Sequence, residues 1–183
     1  SGMVVAVLDT GLDTDHAAFA VDPKSPAVVR GDIDEMLSAG TLQAQRLVRD
    51  LSSSSVYLSG KVPYVFDYAD HDTDVNHHGG SDHGTHVAGI ATANRYVENA
   101  DGTYTYADNG VVGVAPDAQV VVMKVFGKNG GAYADDYIAA IEDAIVLDCD
   151  SVNLSLGSST VGFTTDSENE YVNNVMASLN ETD

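Results

Sequence analysis

Four short runs of the chain have the pattern of strands: "MVVAVLD" (Met3–Asp9), rich in β-branched apolar residues, "KVPYVFDYAD" (Lys61–Asp70), "AQVVVMKVF" (Ala118–Phe126) and "DSVNLSLGSS" (Asp150–Ser159), which ends in a Gly-containing turn. The first and third are continuous apolar runs, the pattern of strands buried on both faces of a parallel sheet. All four are read as strands. Between and after them the period changes. "HGTHVAGIATAN" (His83–Asn94) carries helical spacing at Val87, Ile90 and Ala91. "ADDYIAAIEDAIVL" (Ala134–Leu147) places Ile138, Ile141 and Ile145 on one helix face. "SENEYVNNVMASLN" (Ser167–Asn180) reads as a last helix, with a capping box from Ser167 and Glu170 and with Tyr171, Val175 and Leu179 aligned.

Other stretches are less regular. "ADGTYTYADNG" (Ala100–Gly110) has turn glycines around alternating Tyr and Thr, a hairpin signal. Val21–Gly60 mixes Pro, Ser and charge. It is expected to be an insertion over the surface, with one helix near "DIDEMLSAG". Strands alternating with helices predict an α/β fold, a parallel sheet flanked by helices. In such sheets sites collect at the C-terminal ends of strands. Asp9 and the Ser155-Leu156-Gly157 turn both fall there.

Composition narrows the function classes. The 183 residues amount to about one domain. Asp and Glu number 28 against 8 Lys and Arg, a net charge of −20. Such a surface repels phosphate backbones and anionic lipid, so nucleic-acid and membrane-surface partners are disfavoured. No apolar run approaches the ~18 residues of a membrane span, so no membrane insertion is expected in this segment. A single cysteine, Cys149, excludes an internal disulfide. Its apolar flanks read as a small buried thiol.

The chemistry-bearing stretch is "SDHGTHVAGI" (Ser81–Ile90). His83 and His86 stand three residues apart at a helix start, which leaves a metal site, a catalytic base and a buried pair open. The preceding loop holds Asp67, Asp70, His71, Asp72, Asp74, His77, His78 and Asp82, without a recognisable ligand spacing. A histidine in the first helical turn feels the positive end of the dipole, which disfavours imidazolium. A neutral imidazole suits a general base. It needs a carboxylate to orient the ring, and Asp9 is the natural partner. His86, one turn further on, is expected to be a buried, hydrogen-bonded histidine. No metal site is assigned.

In the order "VVAVLDTGLDTDH", "DHGTHVAGI", "GVVGVAPDAQVVVMKVF" and "DSVNLSLGSS", the chain resembles the subtilisin-like serine protease family. "VPYVFDYAD" and the extra insertions are more similar to the large cell-envelope branch than to the compact secreted enzymes. The resemblance implies a three-layer α/β/α fold and proteolysis by an Asp-His-Ser triad, acting on a protein or peptide substrate outside the cell or on the cell envelope. Residue by residue, it implies that Asp9 is the triad aspartate and His83 the general base. It also implies that Ser155, Leu156 and Gly157 form the edge that pairs with substrate backbone, a strand-addition mode.

The sequence departs from the family pattern in three places: the nucleophile block, the calcium-site carboxylate and the oxyanion-hole asparagine, which the resemblance places on the strand after the last helix and which residues 1–183 are not expected to reach. No Gly-Thr-Ser-x-Ala block is present, and Ser158, Ser159 and Ser167 lack the turn-to-helix context of a nucleophile. Residues 1–183 are therefore expected to be the N-terminal portion of a catalytic domain, inactive alone. Where the family's strong calcium site has an Asp after His-Pro, the run here is His16-Ala17-Ala18. No cofactor and no calcium site are expected in this chain, with calcium elsewhere in a full-length protein left open. An exposed sheet edge is expected to promote self-association. The alternative functional reading is a peptide-binding relative that cuts nothing.

Overall fold

The computed structural model describes residues 2–76 and 81–157, together with position 174. The first strand, β1 (Val4–Asp9), is followed by a short 3-10 turn at Ala17–Phe19 and three helices, α1 (Arg30–Ala39), α2 (Ala44–Leu47) and α3 (Ser53–Val56). Next come β2 (Tyr64–Asp67), α4 (His83–Thr92), the small strands β3 (Tyr96–Glu98) and β4 (Tyr104–Tyr106), then β5 (Gln119–Lys124), α5 (Ala134–Val146) and β6 (Ser151–Leu154). The main sheet has the order β2-β5-β1-β6, and its strands pair in parallel. The α/β architecture read from the apolar runs is present. β3 and β4 form an antiparallel hairpin, with Tyr96 opposite Tyr106; only β4 and the turn lie in the expected Ala100–Gly110 stretch, and β3 precedes it.

Side-chain alternation divides the core into two layers. Val4, Ala6, Leu8, Tyr64, Phe66, Val121 and Met123 point to one face, where α5 and the α1–α3 segment pack. Val7, Val65, Val120 and Val122 point to the other, with Ala88 of α4. A sheet covered on both faces explains why the strand runs are continuously apolar.

Three details differ from the sequence reading. Val21–Gly60 is not merely a surface insertion: Val28, Ile33, Leu42, Ala44 and Val56 are buried in the larger core. Two buried polar groups fasten it. Gln119 Oε1 accepts from the backbone N–H groups of Ala27 and Val28. The Asp143 carboxylate accepts from Gln43 N, Ala44 N and Tyr68 Oη. Desolvation raises the pKa of this carboxyl, against the pull of those hydrogen bonds. In α5 the buried positions are Ala140, Ile141, Asp143 and Ala144, while Ile138 and Ile145 are half-buried. In α4 the buried face consists of Gly84, Ala88, Gly89 and Thr92, and Ile90 is 60% exposed. The helix lies so close to the sheet that its small residues, not its large ones, face inward. The Ser167–Asn180 helix reading falls outside the described residues.

Candidate active site

β1 delivers Asp9 to the C-terminal edge of the sheet, where it is 1% exposed. Its Oδ1 accepts from Thr10 N at 2.7 Å and lies 2.7 Å from His83 Nδ1. A carboxylate oxygen accepts only, so the shared hydrogen belongs to Nδ1. In the neutral ring Nε2 then presents a lone pair, and the side chain is 53% exposed. A buried carboxylate orienting a half-exposed imidazole is the arrangement a general base requires.

The turn after β1 is joined to the start of α4 by hydrogen bonds in both directions. Gly84 N donates to Thr10 Oγ1 at 2.9 Å, and Asp13 N donates to Thr85 Oγ1 at 2.8 Å. Gly11 has φ +111, and a Cβ there would meet Val75 O at 2.0 Å. Only glycine makes that turn at that spacing. Thr10 and Thr85 were not singled out by sequence reasoning, although both lie inside the matched blocks. They register the helix against the strand and so set the Asp9–His83 distance.

His86 corrects an expectation. It is exposed, and lines an open cleft with Asp13, His16, Phe19, Ile90 and Val111. The buried face of α4 is centred on Gly84 and Ala88, and a residue two positions from each points away from the sheet. The acidic loop is likewise built for other partners. Asp67 Oδ2 accepts from Lys124 Nζ at 2.5 Å, and its Oδ1 accepts from Ala69 N and Asp70 N. Asp70 Oδ2 accepts from Lys124 Nζ and from Lys128 N. No group of three or more metal-ligating side chains is assembled among the described residues. His77 and His78 lie outside them.

Ser155, Leu156 and Gly157 directly follow β6, the edge strand among the described residues. The Leu8–Leu154 pairing places Ser155 beside Asp9 at the same sheet edge. Leu156 packs against the larger core, while Ser155 and Gly157 are exposed and nothing lies within 4 Å of a Cβ built at Gly157. Cys149 packs against the larger core, and burial pushes its thiol up to about 12, so it is no nucleophile near neutrality. Ser158, Ser159 and Ser167 lie outside the described residues.

The match to known proteins agrees with this geometry. A model described as the subtilase family matches residues 1–182. The chain belongs to the subtilase family. Among its relatives, the PI-type proteinase of Lactococcus lactis subsp. cremoris is 35% identical over 162 residues, 86% of this chain and 8% of that protein. The C5a peptidase of Streptococcus pyogenes serotype M3 (strain ATCC BAA-595 / MGAS315) is 32% identical over 165 residues, 89% of this chain and 13% of that protein. Among solved structures, this subtilase superposes on the S41 psychrophilic protease with a TM-score of 0.52 at 27% identity, covering 99% of this chain and 43% of the other. Sphericase gives a TM-score of 0.50 at 26% identity, covering 97% and 43%. The chain thus spans a small part of its long relatives and less than half of these solved chains.

Proposed function

We propose that this subtilase chain is the N-terminal part of the catalytic domain of a serine endopeptidase that acts outside the cell or on the cell envelope. The observation that carries the reading is the 2.7 Å contact between buried Asp9 and half-exposed His83. Asp9 fixes the ring so that Nε2 faces outward. His83 takes the proton from a serine hydroxyl during attack on the scissile carbonyl, then returns it to the leaving amine. Ser155, Leu156 and Gly157 bind the substrate backbone by strand addition. The substrate is a protein or peptide. The serine lies beyond these 183 residues, in a Gly-Thr-Ser-x-Ala block that the sequence lacks, and the chain alone does not cleave.

A fluorophosphonate probe tests this on a longer gene product that contains the chain. The expected result is labelling of one serine, suppressed by His83→Ala, with no labelling of the 183-residue chain. Absence of labelling in the longer protein, or labelling of the short chain, overturns the reading.

A further inference from the structure

Asp9, Lys124 and Asp67 are register partners on three neighbouring strands, β1, β5 and β2. All three project to the α4 face, because Val7, Val122 and Val65, two residues earlier on each strand, belong to the core beneath α4. All three are buried, at 1%, 2% and 0% exposure. Adjacent strands lie about 4.8 Å apart, so the lysine stands between two carboxylates. Its stem runs under the turn that carries Asp9: a Cβ on Gly11 would lie 3.2 Å from Lys124 Cδ.

The ammonium is nevertheless held on one side only. Nζ lies 2.5 Å from Asp67 Oδ2 and 3.2 Å from Asp70 Oδ2. It makes no hydrogen bond to Asp9, whose Oδ2 is buried without a hydrogen-bond partner among the described residues. Asp67 is itself fixed by the backbone N–H groups of Ala69 and Asp70. An ammonium moved onto Asp9 would compete with His83 for the carboxylate and oppose imidazolium formation.

We propose that Asp67 and Asp70 are positioning residues that hold the Lys124 ammonium off Asp9 and so reserve Asp9 for His83. The proposal rests on the reading of Asp9 and His83 as the acid–base pair. Other charges around the row are Lys128, which pairs with Asp72 at 3.5 Å, and Asp136 at the start of α5, which feels Asp135, His71, Asp67 and Asp70. Asp82 flanks His83 in sequence. None of these bridges Lys124 to Asp9.

The test is an NMR titration of the His83 ring, isotopically labelled, in the longer gene product that contains the chain, a readout that does not depend on catalysis. In D67N/D70N the freed ammonium turns to Asp9, and the His83 midpoint falls by about one pH unit. Adding Lys124→Met to that variant returns the midpoint to within a few tenths of the original value. D70N alone gives a smaller fall. An unchanged midpoint in folded D67N/D70N overturns the proposal, as does a fall that Lys124→Met does not reverse, since that fall is structural. If D67N/D70N does not fold, D70N decides: a fall reversed by Lys124→Met supports the proposal, and no fall overturns it. Failure of the protease reading shows separately, as absent fluorophosphonate labelling of the longer protein, and leaves the titration result standing.

Discussion

Gly84, the second residue of α4, presses against Gly11 in the turn after β1: a Cβ at position 84 would lie 2.2 Å from the Gly11 carbonyl oxygen and 3.2 Å from Asp9 Cβ. The obstacle is backbone, which cannot swing aside as a side chain can. Gly84→Ala must therefore push α4 away from β1 and lengthen the Asp9–His83 contact. Overpacking of this kind costs about 1–3 kcal/mol. The expected outcome is a lowered denaturation midpoint together with loss of the downfield Nδ1 proton resonance of His83. A variant with unchanged stability and an unchanged resonance would contradict the packing argument.

Cys149 gives a pH dependence with a definite sign. Burial, helped by Asp150 and Asp148, raises the thiol from 9.0 to about 12. The unfolded chain releases this proton near pH 9 while the folded chain keeps it. Its contribution is therefore full below pH 9 and is lost as pH rises toward 12, at no more than about 1.4 kcal/mol per pH unit. Cys149→Ala removes that slope, whatever it does to the absolute stability. Urea midpoints of the two proteins between pH 8 and pH 10 check it. Parallel curves would refute the assignment.

How much of this was legible in the sequence follows from what each feature depends on. The strands were readable because a sheet covered on both faces needs apolar residues at successive positions. The Asp9 and His83 blocks were readable because their spacing and neighbours are specific. The inward face of α4 was not, since the rule that large apolar residues point inward fails where Gly84, Ala88 and Gly89 allow close approach to the sheet. The exposure of His86 follows from the same geometry. The burial of Val28, Ile33 and Leu42 depends on Gln119 and Asp143, roughly a hundred residues away in sequence for some contacts, which no local pattern reveals. A signal for the Lys124 row did exist. A lone lysine in "VVVMKVF" and a lone aspartate in "YVFD" end otherwise apolar strands, and buried charges of opposite sign find one another.

The 183-residue chain is expected to self-associate. Ile90 is 60% exposed, Val114 is 89% exposed, and Ala91, Ala115 and Val152 line the same groove, with Ser155 at its end. A contiguous apolar face of this kind favours association in water. Ile90→Lys with Val114→Lys should shift sedimentation toward monomer without altering the circular dichroism spectrum. A wild-type chain that sediments as a monomer at all concentrations would defeat this expectation.

Lys61 is fully buried, and its ammonium donates to three backbone carbonyls: Thr92 O at 2.7 Å, Pro116 O at 2.8 Å and Ala118 O at 2.6 Å. It binds the end of α4 to the segment that enters β5. Burial pulls its amine down to about 8, against the attraction of Asp117. Lys61→Met keeps the stem volume but strips all three carbonyls of their donor, and each buried carbonyl left bare costs about 1–3 kcal/mol. The loss should be local first. Gly113, Val114 and Ala115 donate their amides to Ala93, Ile90 and Ala91, so these bonds tie the same helix end to the same segment. In the variant their hydrogen exchange should quicken by at least tenfold relative to amides in the middle of α5. Uniform quickening across both regions would mean that Lys61 contributes only to global stability, and equal rates in the two proteins would mean that it holds nothing.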